Sequence, residues 1–180
     1  MHVPSEAVEA TSARIEPARF DFEAVFHAEY DRVARAVARV IRDPARAEDL
    51  AVDAFWKLWQ TPQAHGASAA AWLRRTAVRL ALDELRRRAR RTRYESVLIV
   101  FRSPPRPDDL FSAAEEHGRV RAVLAAMPRR QAELLLLHSD SYSYDELANT
   151  LLLNPASVGT LLSRAKQAFR KEYVNRYGEQ

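Results

Sequence analysis

The sequence contains no cysteine and only four glycines in 180 residues. Without thiols there is no disulfide framework, no thiolate metal site and no cysteine nucleophile. The five histidines (His2, His27, His65, His117 and His138) are scattered with no ligand spacing, so neither a metal nor another cofactor is expected. So few glycines leave no material for a phosphate-cradling loop of the GxxxxGK or GxGxxG kind. No nucleophile, base and orienting group stand out together, and an enzyme is not expected. Long apolar runs are also missing: nothing approaches the ~18 residues needed to span a bilayer. The start, MHVPSEAVEATSARIEP, has acids and proline where a signal peptide needs an apolar stretch. The expectation is a protein of a reducing, cytoplasmic compartment, neither secreted nor inserted in a membrane.

What is present is enough for a core, with 47% hydrophobic and 29% charged residues. The net charge of +4 hides a strong asymmetry. Residues 72–93 carry nine arginines against Asp83 and Glu84, a net of +7, whereas residues 43–53 carry Asp43, Glu48, Asp49 and Asp53 against Arg46, a net of −3. A concentrated arginine stretch is the usual footprint of a polyanion-binding surface, because each phosphate contact releases condensed counterions. A solvated helix face or an anionic-membrane patch would have the same composition.

The periodicity is helical throughout. Residues 1–19, with Pro4 and Pro17 and no sustained pattern, read as a mobile arm. Phe22, Phe26, Tyr30, Val33, Val37 and Ile41 recur at three- and four-residue steps, placing a first helix before Asp43-Pro44. Leu50, Ala54 and Leu58, with Ala51, Phe55 and Trp59 beside them, mark a second, in which Trp56 and Trp59 are assigned to the core. A third follows a cap at Ser68, with Trp72, Leu73, Ala77, Leu80, Ala81 and Leu85 as its buried stripe and arginines on its other faces. These make a helical domain over 20–96. The run Val97 to Phe101 reads as its packed tail, and SPPRPDD (103–109) cannot form a regular helix, so 97–111 is a Pro-rich linker.

A second helical domain is expected over 112–177. Ser112 with Glu115 has the spacing of a capping box, and Pro128 opens a helix from Arg129 to His138. Ser143 with Glu146 forms another capping box for a short helix, and Asn154-Pro155 starts the last, with the stripe Val158, Leu162, Ala165, Phe169 and Tyr173. Two helices joined by Leu152 to Asn154 make a helix-turn-helix whose second helix is the candidate groove reader. A generic helical bundle satisfies the same pattern. The fold class is therefore all-α, two small domains with a helix-turn-helix in the second.

Three segments, FEAVFHAEYDRVARAVARVIRDPARAEDLAVDAFWKLWQ (22–60), AWLRRTAVRLALDELRRRARR (71–91) and MPRRQAELLLLHSDSYSYDELANTLLLNPASVGTLLSRAKQAF (127–169), occur in an order that resembles the extracytoplasmic-function group of bacterial RNA polymerase sigma factors. That resemblance implies a transcription initiation factor that binds the clamp and flap regions of core RNA polymerase and promoter DNA, without catalysis of its own. It assigns the first domain to the minus-ten element and the clamp, and the second to the minus-thirty-five element. An anti-sigma protein is a common further partner in this group.

The resemblance places Glu48, Asp49 and Asp53 at the polymerase-docking segment; carboxylates near a helix N-terminus would also balance the macrodipole. It places the minus-ten contacts on Trp72, Arg75, Arg79, Asp83, Arg86, Arg87, Arg88, Arg90 and Arg91, where arginines hold the backbone of an opened strand and a ring stacks on its bases. Asp83 could instead pair with Arg79 or Arg87. On the last helix the groove face falls to Ser157, Thr160 and Arg164, with Lys166, Arg170 and Lys171 reaching phosphates. Arg79 stands where the group often has asparagine, Leu152 where relatives have the turn's glycine, and Gly159 and Leu161 where many have lysine and arginine. A helix-turn-helix regulator acting on duplex operators without polymerase, or a helical protein-interaction module, are the competing readings.

Overall fold

A computed structural model describes residues 20–98 and 109–178. Among them the order is α1 (Phe22–Val40), α2 (Pro44–Trp59), a 3-10 turn, α3 (Ala69–Leu98), α4 (Asp109–Ala126), α5 (Arg129–Ser139), α6 (Tyr144–Leu151), a second 3-10 turn and α7 (Val158–Tyr177), with no strand. The all-α expectation therefore holds for the described residues.

Short polar caps start these helices where the chain has to turn. The Asp21 side chain accepts from Ala24 N at 2.9 Å, and Asp43 accepts from Arg46 N at 3.2 Å with Pro44 in the first turn. α1, α2 and α3 pack on one another pairwise. They bury Val33, Val37, Leu58, Leu73, Ala77 and Leu82 essentially completely. Each large aliphatic side chain removed from water in this way contributes ~1.5–3 kcal/mol. Phe22, Phe26, Tyr30 and Phe55 form an aromatic cluster at one end, with Phe26 and Phe55 centroids 4.7 Å apart.

The second group is built by α4 to α7. Ser143 and Glu146 close a true capping box: Glu146 N donates to Ser143 Oγ at 3.2 Å, and Ser143 N donates to the Glu146 carboxylate at 2.9 Å. Asn154 caps the 3-10 turn Pro155–Ser157 that feeds α7. Val158, Leu162 and Ala165 are buried, and Phe169 and Tyr173 half-buried, as their spacing predicts. Between the two helices Leu152 sits at φ 55°, a left-handed conformation that glycine adopts without penalty and leucine does not.

One expectation fails here. Ser112 is not an N-cap, because α4 already runs from Asp109; after Pro107 nothing in the sequence stops a helix from starting earlier. Val97 and Leu98 extend α3 as two more helical residues. The arm (1–19), the rest of the apolar run (99–101) and the proline segment to residue 108 lie outside the described residues.

α3 also packs against α4, α5 and α6. The two groups therefore meet along the arginine-rich helix.

Candidate nucleic-acid interface

Trp72, Arg75, Arg79 and Asp83 share one stripe of α3, as their spacing requires, but the stripe faces the second group of helices. Arg75 donates to Thr150 O at 3.3 Å, and burial, then the nearby Arg79 charge, lowers its pKa. Arg79 Nε donates to Glu133 Oε1 at 2.9 Å. Asp83 takes its hydrogen bond from Arg129 of α5, neither from Arg79 nor from Arg87. One turn further on, Arg86 donates to Ala125 O at 3.2 Å and Met127 O at 2.9 Å. Trp72 is half-buried against the core.

The remaining arginines of α3 divide. Arg87 and Arg88 bond the buried Glu84, with Arg46 at 3.4 Å from the same carboxylate. Burial alone would push the Glu84 carboxyl up; the Arg88 hydrogen bond and the charges of Arg87 and Arg46 outweigh it and hold it low. Arg90 and Arg91 are exposed towards the far end of the helix.

The contacts that complete this seam were not singled out from the sequence. Arg32 lies 4.0 Å above the centre of the Tyr142 ring and donates to Glu146 at 2.8 Å. Arg39 donates to Ser139 O at 2.6 Å and sits 3.4 Å from Asp140. Arg74 forks onto Glu29 at 2.6 and 2.5 Å, which raises its pKa, and its guanidinium lies 5.7 Å from the centre of the Tyr142 ring. Tyr142 itself is buried, and burial pushes its hydroxyl up to about 12.

On α2, Glu48, Asp49 and Asp53 are exposed. They stand beyond the first turn, which contains no acid, so balancing the macrodipole does not account for them. The assignment of Trp56 and Trp59 to the core is corrected: they are 58% and 55% exposed, and Val52 beside them is 49% exposed. The buried arc of α2 is already filled by Ala47, Leu50, Ala51, Ala54, Phe55 and Leu58. At about 100° per residue both tryptophans fall outside that arc, with the three acids on the same outer face. Trp59 only rests its edge on Phe22, centroids 5.2 Å apart.

On the last helix Thr160 and Arg164 are exposed and Ser157 is half-buried, aligned on one side. Lys171 continues that line, whereas Arg170 lies round the helix from it. Lys166 points to the opposite side, where it lines a cavity of about 660 Å³ with Arg39, Arg42 and Arg121; the structure does not bring it to the groove face. Leu161 packs beside the buried stripe, as its position predicts.

Comparison with known proteins gives these surfaces a context. Residues 25–91 match the family model of Sigma-70 region 2, and residues 117–169 match that of Sigma-70, region 4. The two matches define a sigma-70-type chain of two helical regions, with the arginine helix in the first and the helix-turn-helix in the second. The chain is 30% identical over 166 residues to the ECF RNA polymerase sigma factor SigK of Mycolicibacterium vanbaalenii, covering 86% of this chain and 84% of that protein. It belongs to the extracytoplasmic-function family of RNA polymerase sigma factors. It is also 32% identical over 146 residues to the probable RNA polymerase sigma factor RfaY of Xanthomonas campestris pv. campestris, covering 77% of this chain but only 36% of that longer relative. With SigE of Mycolicibacterium smegmatis the identity is 27%, over 83% of this chain and 60% of that protein. Among solved structures, the sigma factor RpoE from Bartonella quintana, in complex with the anti-sigma factor NepR, superposes with a TM-score of 0.50 at 18% identity, over 84% of this chain and 96% of that one. That likeness bears on the fold alone.

Proposed function

We propose that this chain is a cytoplasmic transcription initiation factor that binds core RNA polymerase and directs promoter recognition and melting, contributing no catalysis of its own. The observation that carries the reading is the outer face of α2, where Val52, Trp56 and Trp59 stand exposed among Glu48, Asp49 and Asp53. An apolar centre with an acidic rim is what a basic protein surface docks on; acids steer encounter and desolvated tryptophans supply affinity. A regulator acting on duplex DNA alone has no use for such a face, since phosphate repels carboxylates.

In this reading α3 serves the minus-ten element: Arg75, Arg79, Arg86, Arg87, Arg88, Arg90 and Arg91 hold the backbone of the opened strand, while Trp72 and Asp83 touch its bases. α7 serves the minus-thirty-five element through Ser157, Thr160 and Arg164, with Arg170 and Lys171 on phosphates. An anti-sigma protein is a further partner that the family suggests. The test is transcription with purified core polymerase over a promoter library: specific initiation by the wild-type chain, lost on reversing Asp49 and Asp53 to lysine, supports the reading. Retention of core binding and initiation by that double variant would show that the acidic face is not the dock.

A further inference from the structure

Lys166 is left without a role on the groove face. It lines instead a cavity of about 660 Å³ where the end of α1 meets α4, α5 and α7. The floor of that cavity is apolar: Val40 and Leu124 are buried, and Val120, Leu135, Leu136 and Phe169 are half-buried beside them. Its rim is cationic. Arg42, just past α1, Arg121 of α4 and Lys166 of α7 reach it from three parts of the chain. Elsewhere arginines find acids, as Arg74 finds Glu29 and Arg88 finds Glu84. Arg39, on the same rim, is spent on Ser139 O and Asp140. Among the described residues Arg42, Arg121 and Lys166 take part in no hydrogen bond or ion pair. Arg121 is half-buried, and burial, then the Arg42 charge, lowers its pKa.

We propose that this cavity binds an amphipathic anion, a small molecule with an apolar chain and a phosphate or carboxylate head, the chain on the apolar floor and the head among Arg42, Arg121 and Lys166. Like charges gathered at one opening repel, and a bound anion removes that cost. Guanidinium forks suit either head, with the lysine as a further point charge. A volume of about 660 Å³ lies within the ~300–1,000 Å³ of small-molecule sites, which combine an apolar lining with a few converging polar groups. The α4 wall runs only from His117 to Leu124, ~10 Å at ~1.5 Å per residue, no longer than a peptide helix is wide. A nucleic-acid phosphate would satisfy the cations but leave the floor in water.

The experiment titrates the full chain by calorimetry with alkyl phosphates and alkyl carboxylates below their micelle concentrations. Inorganic phosphate and octanol serve as the head and the chain alone. One site per chain is expected, with affinity rising about fourfold per added methylene until the cavity is full. Inorganic phosphate should bind at least about a hundredfold more weakly than octyl phosphate, and octanol about tenfold more weakly. Phosphates tighter than carboxylates would assign a dianionic head, and equal affinities a monoanionic one; both support the site. Arg121→Gln and Lys166→Gln should each weaken octyl phosphate about tenfold with the chain-length slope kept, whereas Leu136→Asn should flatten the slope. Arg130→Gln, exposed at the start of α5, should change nothing. Amide shifts at Val120, Leu136 and Phe169 in the wild type locate the ligand whether or not Leu136→Asn folds. Affinity independent of chain length, equal loss in Arg130→Gln and Arg121→Gln, shifts confined to other surfaces, or no binding overturns the proposal. Binding is read on the free chain, so the result stands apart from polymerase docking.

Discussion

Removing Trp56 should damage polymerase docking far more than it damages the fold. A tryptophan offers 150–250 Å² for burial; with 58% still exposed, Trp56 presents on the order of 100 Å² to a partner. At ~25 cal/mol per Å² this is worth ~2.5 kcal/mol on docking, within the hot-spot range. Trp56→Ala should therefore weaken core binding by roughly 30- to 100-fold. The cost to folding should stay under ~1 kcal/mol, since no ring contact involving Trp56 occurs among the described residues. Trp59→Ala should lose a similar affinity and somewhat more stability, because its edge packs on Phe22. The assay is competition against a labelled sigma factor for core polymerase at low and moderate salt, with urea unfolding of each free variant beside it. Replacing Asp49 and Asp53 should act differently, slowing association in a salt-dependent way. If Trp56→Ala binds core within threefold of wild type while folding normally, the outer face of α2 is not the docking surface.

Leu152 is 72% exposed at φ 55°, so Leu152→Gly relieves ~1–2 kcal/mol of left-handed strain against ~0.5–1 kcal/mol of added chain entropy. The midpoint of urea unfolding should rise, and a fall would mean that the leucine packs better than its exposure suggests. In α7, two hydroxyls and one arginine make few bidentate base contacts, so Arg164→Ala should be the most damaging single change there. Scrambling the upstream element should cost transcription less than scrambling the minus-ten element; equal losses would show that Ser157 and Thr160 read sequence. Because burial raises the Tyr142 pKa from 10 to about 12, its share of stability is complete below pH 10 and is lost as pH rises through the folded value. Urea unfolding should show stability lost over that window in the wild type and little change over it in Tyr142→Phe; an identical alkaline transition in that variant would show that the Tyr142 hydroxyl is not its cause.

Most helix boundaries were legible because capping and proline chemistry are local. Asp43-Pro44, Ser143 with Glu146, and Asn154-Pro155 each act within a few residues: α1 ends before the first as expected, and the other two start elements as expected. Ser112 failed for the same reason: a cap motif marks a start only where the preceding residues resist helix, and Asp109 to Phe111 do not. The tryptophans of α2 were misplaced by residue type, although the arc was in the sequence. Once Leu50, Ala54, Phe55 and Leu58 fill one side, Trp56 lies about 100° beyond its edge. A large aromatic outside a complete apolar arc is a signal for a partner, and it could have been found.

The seam could not have been read in that way. Arg79 and Glu133 are 54 residues apart, Arg32 and Glu146 are 114 apart, and no local pattern links them. A guanidinium fork accepts a carboxylate and a phosphate with the same geometry, so composition identifies the arginine stripe without naming its occupant.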